Sequence, residues 1–223
     1  MEPFKVTQNS IQEIDPEKLH LINELTITED FFVRDDLPIL RRMCNSIENG
    51  TRTGGNLKSV DLSKNNIYAY ENRVWFKDCI TLKEIKLPYT FEAYAQYFSG
   101  CLNLESIEIS PTPEGKRKRH GFYSKDGVVF EASNNNHDSL EKYPARKGTE
   151  YKIPSDIIRI KDYAFEDAII TSLIMPPIPP RCNEEAFKGI DPTVLTLYVP
   201  KGSQSSYWVH PVYSKFKIVE LDE

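Results

Sequence analysis

No stretch of this sequence approaches the roughly 18 consecutive apolar residues that a membrane-spanning helix needs. Its opening, MEPFKVTQNSIQEID, has no apolar core of the kind found in secretory signals. A cytosolic chain and an exported chain whose signal has been removed both fit. Cysteine is scarce: four in 223 residues exclude a disulfide-rich scaffold. A basic excess is also missing. With 28 basic and 33 acidic side chains the formal net charge is −5, which argues against nucleic acid as a partner. There is no H-E-x-x-H, no G-x-S-x-G elbow, no phosphate-cradling G-x-x-x-x-G-K and no G-x-G-x-x-G. The four histidines, His20, His120, His137 and His210, lack metal-ligand spacing. No catalytic residue, metal or cofactor is therefore assigned. At 39% hydrophobic and 11% aromatic residues, the chain nevertheless has enough apolar content to fold around a core.

What the sequence does have is repetition. CITLKEIKLP (79–88) and CLNLESIEIS (101–110) begin alike and end in an aliphatic–charged–aliphatic triplet. Aligned on the last aliphatic residue, the phrases end at Leu62, Leu87, Ile109, Ile153, Met175 and Val199, in steps of 25, 22, 44, 22 and 24. The double step predicts a further phrase near residue 131, where GVVFE (127–131) lies. Phe76, Phe98, Phe165 and Phe187 precede their triplets by 11, 11, 10 and 12 residues, and Cys79, Cys101, Ala168 and Ile190 follow them three positions later. Periods of this length mark a solenoid whose units bury their apolar side only against neighbours.

Within a unit, Ile85 and Leu87 share one face of a strand while Glu84 and Lys86 share the other. Pro88, Pro154, Pro176 and Pro200 then end the strand. FKDC and FSGC read as short helical turns on the return leg. Asp126-Gly127 between apolar stretches predicts an inserted β-hairpin. NNNHD (134–138) reads as a polar loop. Asp15 and Pro16 open a helical segment, INELTIT reads as the first strand, and Leu40, Met43 and Ile47 have helical spacing. Tyr207, Trp208, Tyr213 and Phe216 read as a cap over the last unit. The expected organisation is an N-terminal capping module at 1–56 and a repeat region at 57–223. That region carries the hairpin around 120–145 and the C-terminal cap around 203–223, all within one continuous domain.

The pattern F-x-x-C-x-x-L-x-x-I-x-L-P, with DYAFEDAIITSLIMPP and EEAFKGIDPTVLTLYVPKGSQSSY, resembles the BspA-like branch of leucine-rich-repeat proteins over roughly residues 19–220. It departs from that pattern where three tyrosines crowd LPYTFEAYAQYFSG. The resemblance implies an α/β repeat solenoid, a right-handed leucine-rich-repeat coil with one parallel β-sheet on its concave face. It also implies a non-enzymatic, surface-exposed or secreted protein that binds proteins or other surface macromolecules. A carbohydrate- or peptide-acting enzyme with carboxylates gathered across coils, and a structural spacer, are the alternatives.

The outward strand members are the candidate binding residues: Ser59, Asp61, Glu84, Lys86, Ser106, Glu108, Lys152, Ser172, Ile174, Thr196 and Tyr198. Ile174 and Tyr198 stand out as apolar groups on a polar face. An ordinary solvated sheet face fits the same residues. Cys79 and Cys101, one unit apart, read as two buried thiols in preference to a disulfide, because stacked side chains point the same way. The basic run KRKRH (116–120) reads as a solvated loop, and Asn49 in NGT matches a glycosylation acceptor.

Overall fold

The computed structural model describes residues 5–8, 10–28, 33–65, 67, 75–115, 121–132 and 138–222. The KRKRH run and residues 134–137 of NNNHD lie outside them. The first strands in chain order are β1 (Lys5–Gln8), β2 (Glu24–Ile27), β3 (Ile47–Glu48), β4 (Thr51–Arg52), β5 (Ser59–Asp61), β6 (Glu84–Leu87) and β7 (Ser106–Ile109). There follow β8 (Phe122–Lys125), β9 (Val128–Glu131), β10 (Asp138–Lys142) and β11 (Glu150–Lys152). The last are β12 (Ile157–Ile160), β13 (Ser172–Ile174), β14 (Thr196–Val199) and β15 (Lys217–Glu220). Among the described residues two α-helices, α1 (Val33–Met43) and α2 (Gln204–Trp208), lie toward the ends.

The predicted triplets become parallel strands in a constant register. Val60, Ile85 and Ile107 are successive partners in one sheet, and Leu87 pairs with Ile109. Tyr151, Leu173, Leu197 and Ile218 are partners in another. The inward members between repeats are buried, and those on the outermost strands, Tyr151 and Ile218, are half-buried, because no single three- or four-residue strand can cover them and the neighbouring repeats do so. One continuous sheet was expected, and the strands divide instead. A five-stranded parallel sheet runs β1-β2-β5-β6-β7, a four-stranded parallel sheet runs β11-β13-β14-β15, and a mixed sheet runs β12-β10-β9-β8.

The hairpin explains the division. Asp126 and Gly127 have φ of 51° and 73°, as a two-residue hairpin turn requires, and β8 and β9 pair antiparallel across it. The Ile107 N–H donates to the Gly127 carbonyl at 3.0 Å, and the Ile109 N–H donates to Ser124 Oγ at 2.8 Å. The outer edge of β7 is thus satisfied by the hairpin and not by another parallel strand. GVVFE therefore supplies no parallel unit. Its strand pairs antiparallel with both β8 and β10.

The return legs stack as regularly as the strands. Cys79, Cys101, Ala168 and Ile190 each donate a backbone N–H to the carbonyl of the phenylalanine three residues earlier, at 3.0–3.1 Å. The Phe76 and Phe98 rings are 5.7 Å apart and within 6° of parallel. Phe165 and Phe187 repeat this at 5.3 Å and 0°. Each such pair contributes about 0.5–1.5 kcal/mol beyond its area burial. The helical turn expected at FSGC falls earlier, as a 3₁₀ turn over Ala95–Phe98, and a later repeat has one over Glu184–Phe187; FKDC forms a non-helical turn. The residues two beyond each phenylalanine (Asp78, Gly100, Asp167 and Gly189) have positive φ, which no helix accommodates.

The ends differ from expectation in three places. INELTIT forms the second strand of its sheet, because Lys5–Gln8 adds a parallel strand outside it. In α1, Leu40 and Met43 are fully buried, whereas Ile47 lies beyond the helix on β3 and is 42% exposed. Asn45, with φ of 53°, turns the chain between them. At the other end Tyr207, Tyr213 and Phe216 close over the last repeat, but Trp208 is 58% exposed. The Asp15 and Pro16 expectation holds as a 3₁₀ segment, Pro16–Leu21, in which the Glu17 N–H donates to Asp15 Oδ1.

Candidate functional site

The eleven candidate binding residues occupy two sheet faces. On the first sheet one row runs Glu24, Ser59, Glu84, Ser106 and the next Thr26, Asp61, Lys86, Glu108. Glu84, Lys86 and Glu108 are exposed; Ser59, Asp61 and Ser106 are half-buried. Asp61 Oδ1 accepts the Ser63 N–H at 2.9 Å, so part of its capacity serves the turn after β5. On the second sheet the rows are Glu150, Ser172, Thr196, Lys217 and Lys152, Ile174, Tyr198, Val219. Ile174 is 38% exposed, and Tyr198 and Val219 beside it are half-buried. The structure groups the residues six and five, with the hairpin between the two parallel sheets. The first face is charged. The second turns apolar in one row.

A second site was not visible in the sequence. Buried apolar residues fall into two clusters, one reaching from Ile11 to Val129 and the other from Val128 to Phe216. Where they meet, three charged side chains are buried: Glu141, Lys142 and Glu166. Glu141 Oε1 accepts the Ala95 N–H at 3.0 Å. Its Oε2 has no hydrogen-bond partner among the described residues and lies 3.9 Å from Lys161 Nζ. Burial holds the Glu141 carboxyl up to about 7, against the Ala95 hydrogen bond and the Lys161 charge, which pull it down.

The Lys142 ammonium donates to the carbonyls of Tyr163 at 3.0 Å and Glu166 at 3.4 Å, and burial lowers its pKa to about 8. Glu166 accepts the Ser99 hydroxyl at 2.5 Å and pairs with Lys188 at 3.2 Å. These contacts tie the return leg at 95–101 to the repeats that follow. They satisfy buried charge that would otherwise cost several kcal/mol.

Glu141 also lines a cleft of about 390 Å³. One wall is Tyr94, Ala95 and Gln96, part of the tyrosine-rich return leg. The other is the end of β12, Arg159 and Ile160, and the two residues after it, Lys161 and Asp162, with Arg181, Cys182 and Asn183 beside them. Arg159 and Arg181 are parallel bridge partners, and the Arg181 N–H and carbonyl both bond the β12 backbone. Lys161 Nζ is held by Glu131 at 2.6 Å. An adjoining apolar cleft of about 660 Å³ is lined by Ile157, Ile158, Pro177, Ile178 and Pro179, and shares Arg181.

All four cysteines are free. Cys44, Cys79 and Cys101 are buried and Cys182 is half-buried. The Cys101 thiol donates to the Phe76 carbonyl at 2.9 Å. No cluster of three or more His, Cys, Asp or Glu side chains is placed to hold a metal among the described residues. No helix among them is long and apolar enough to cross a membrane. Asn49 sits at the exposed turn between β3 and β4, with φ of 51° followed by Gly50 at 78°; this Asn-Gly turn is a hairpin signal that the glycosylation reading overlooked.

Against solved structures the chain is similar to a leucine rich cell surface protein from Faecalibacterium prausnitzii A2-165. That match is 13% identical, covers 99% of this chain and 83% of that one, and has a TM-score of 0.34. It is also similar to the pneumococcal vaccine antigen PcpA, at 11% identity, 99% and 71% coverage and a TM-score of 0.33. Likenesses this distant assign neither fold nor function. A comparison with curated proteins found no match. The family model for the BspA type leucine rich repeat region matches residues 40–125 and 143–205 in six copies. The first block contains β5, β6 and β7 and the second β11, β13 and β14, while β9 and β10 fall between the two. The chain belongs to the BspA-type leucine-rich-repeat family.

Proposed function

We propose that this chain is a non-enzymatic interaction module that binds another protein or surface macromolecule through the outward faces of its parallel sheets. In this reading its repeats wind as one right-handed coil with those faces on the concave side. The capping modules close its ends, and it works at a cell surface or in secreted form. Family membership supports the class of activity, since leucine-rich-repeat proteins generally bind proteins.

The observation that carries the reading is the row Lys152, Ile174, Tyr198, Val219. A cation, an exposed isoleucine and a tyrosine at adjacent strand positions make an apolar centre with a polar rim, the usual composition of a binding patch. The flanking row of Ser172, Thr196 and Lys217 supplies hydrogen-bonding groups. The 390 Å³ cleft does not favour the enzyme alternative. Three cations, Arg159, Lys161 and Arg181, outnumber the Glu141 and Asp162 carboxylates on its lining, a balance suited to holding an anion more than to an acid–base pair.

The test is a pull-down against host and bacterial surface extracts, comparing wild type with the Ile174→Ala, Tyr198→Ala double variant. Both substitutions are on the outward face, so the variant is expected to keep its thermal midpoint and to lose at least tenfold in captured partner. Equal capture by a folded variant would remove the second sheet face from consideration.

A further inference from the structure

The cleft beside Glu141 carries a charge imbalance that the described protein groups leave unanswered. Arg159 and Arg181 are paired strand positions, so their side chains leave the backbone on one side, about 4.8 Å apart. Both residues are exposed. Neither guanidinium makes a hydrogen bond or ion pair among the described residues, whereas their neighbour Lys161 is held by Glu131. Like charges at directly paired positions repel, and an anion between two guanidinium forks relieves that repulsion with paired hydrogen bonds. An independent observation points into the same cleft: Glu141 is only 3% exposed, yet among the described residues its Oε2 has no hydrogen-bond partner and only the Lys161 ammonium, 3.9 Å away, as a charge partner.

We propose that this cleft binds an acidic sugar, a carboxylated or sulfated glycan unit, with Arg159 and Arg181 clamping its anionic group. Gln96 and Asn183 offer amide donors and acceptors, and Asp162 an acceptor, for hydroxyl groups. Tyr94 supplies an aromatic wall. The volume of about 390 Å³ falls within the range of about 300–1,000 Å³ typical of small-molecule sites.

Glu141 is a positioning residue here and acts through its charge. It is faced by Lys161, by Glu131 and Asp162, and by the Ala95 amide. Below about pH 7 its buried carboxyl is neutral and does not oppose a bound anion; above that pH it does. Binding therefore tightens as pH falls through 7.

The experiment is calorimetric titration of the full chain with three probes: a uronic-acid tetrasaccharide, a sulfated amino-sugar tetrasaccharide and neutral cellotetraose. At least one acidic probe is expected to bind ten times more tightly than cellotetraose, and the preferred one identifies the anionic group. Arg159→Ala and Arg181→Ala each weaken that binding at least tenfold without moving the thermal midpoint. Arg181→Lys restores it only in part, because an ammonium lacks the planar fork. Glu141→Gln flattens the dependence of affinity on pH between 5 and 9. Absence of binding to either acidic probe, equal affinity for cellotetraose, or unchanged affinity in both alanine variants would overturn the proposal. So would tighter binding of an acidic hexapeptide than of either sugar. The cleft shares no residue with the sheet face of Ile174 and Tyr198, so failure here leaves that reading standing.

Discussion

Asp78 and Gly100 occupy equivalent places in successive repeats, and the carboxylate of Asp78 fills the space that a β-carbon on Gly100 would need. Both have left-handed backbones, with φ of 62° and 74°. Asp167 and Gly189 repeat the relationship at 60° and 81°, and a β-carbon at Gly189 would come within 2.6 Å of Asp167 Oδ1. The Asp78 N–H donates to the Ser99 carbonyl at 2.8 Å, and the Asp167 N–H to the Lys188 carbonyl at 3.1 Å. Close stacking of one left-handed turn on the next thus requires that the second lack a side chain.

Gly100→Ala should therefore destabilise the protein by about 1–3 kcal/mol, combining left-handed strain with displacement of Asp78. Asp78→Gly removes both the obstruction and its own backbone strain. The double variant Asp78→Gly, Gly100→Ala should then lose less than Gly100→Ala alone, measured as urea midpoints. Strict additivity of the two single changes would show that the turns do not touch.

Strand parity makes a sharper test. Ile85 is 1% exposed between Val60 and Ile107, while Glu84 beside it is exposed. Ile85→Asp forces an unpaired charge into a shared core and should abolish the cooperative thermal transition. Glu84→Ala should change stability by no more than about 0.5 kcal/mol. A native melt for Ile85→Asp would place that side chain outside.

These two cases show why the repeats were legible and other parts were not. Inward positions demand apolar bulk and return-leg positions an aromatic ring, so Leu87, Ile109 and Phe98 announce their places. The Phe position before Ile153 is filled by Tyr143, ten residues upstream, and tracking phenylalanine alone missed it. Its ring lies 5.3 Å from that of Phe165, and its hydroxyl donates to the Gly148 carbonyl at 3.1 Å. Val128 and Phe130 carry the same apolar signature whether their strand pairs parallel or antiparallel, so composition did not reveal its direction. The Glu141 cleft left no trace. Its groups come from two return legs, from β10 and from the end of β12, and only folding brings them together.

Thiol reactivity should rank the cysteines by burial. Burial raises the pKa of Cys79 and Cys101 well above the ordinary thiol value, and that of half-buried Cys182 to about 11. Since the thiolate is the reactive form, Cys182 should label slowly in the native protein. Cys79 and Cys101 should label only after denaturation. Recovery of a Cys79–Cys101 disulfide peptide from non-reduced protein would contradict the free thiols seen here.

The buried pair at the junction of the two cores predicts an unusual dependence of stability on pH. Glu141 titrates near 7 when folded, against an ordinary value of 4.5. Between those values the folded state keeps a proton that the unfolded state has released. Its contribution is therefore complete below about 4.5 and is lost as pH rises to 7, a change of about 3 kcal/mol. Lys142 titrates near 8 when folded, against 10.5. There the unfolded state keeps the proton longer, so stability rises with pH across 8 to 10.5 by a similar amount. Urea midpoints from pH 4 to 10 should consequently pass through a minimum between about 7 and 8. Glu141→Gln should flatten the acid limb and leave the alkaline rise. Lys142→Met should remove the alkaline rise and cost most above pH 8, where the wild-type side chain is neutral and still donates to the Tyr163 and Glu166 carbonyls. A wild-type profile with its maximum at neutral pH would show that the two charges are solvated, and that the junction between the cores is open to water.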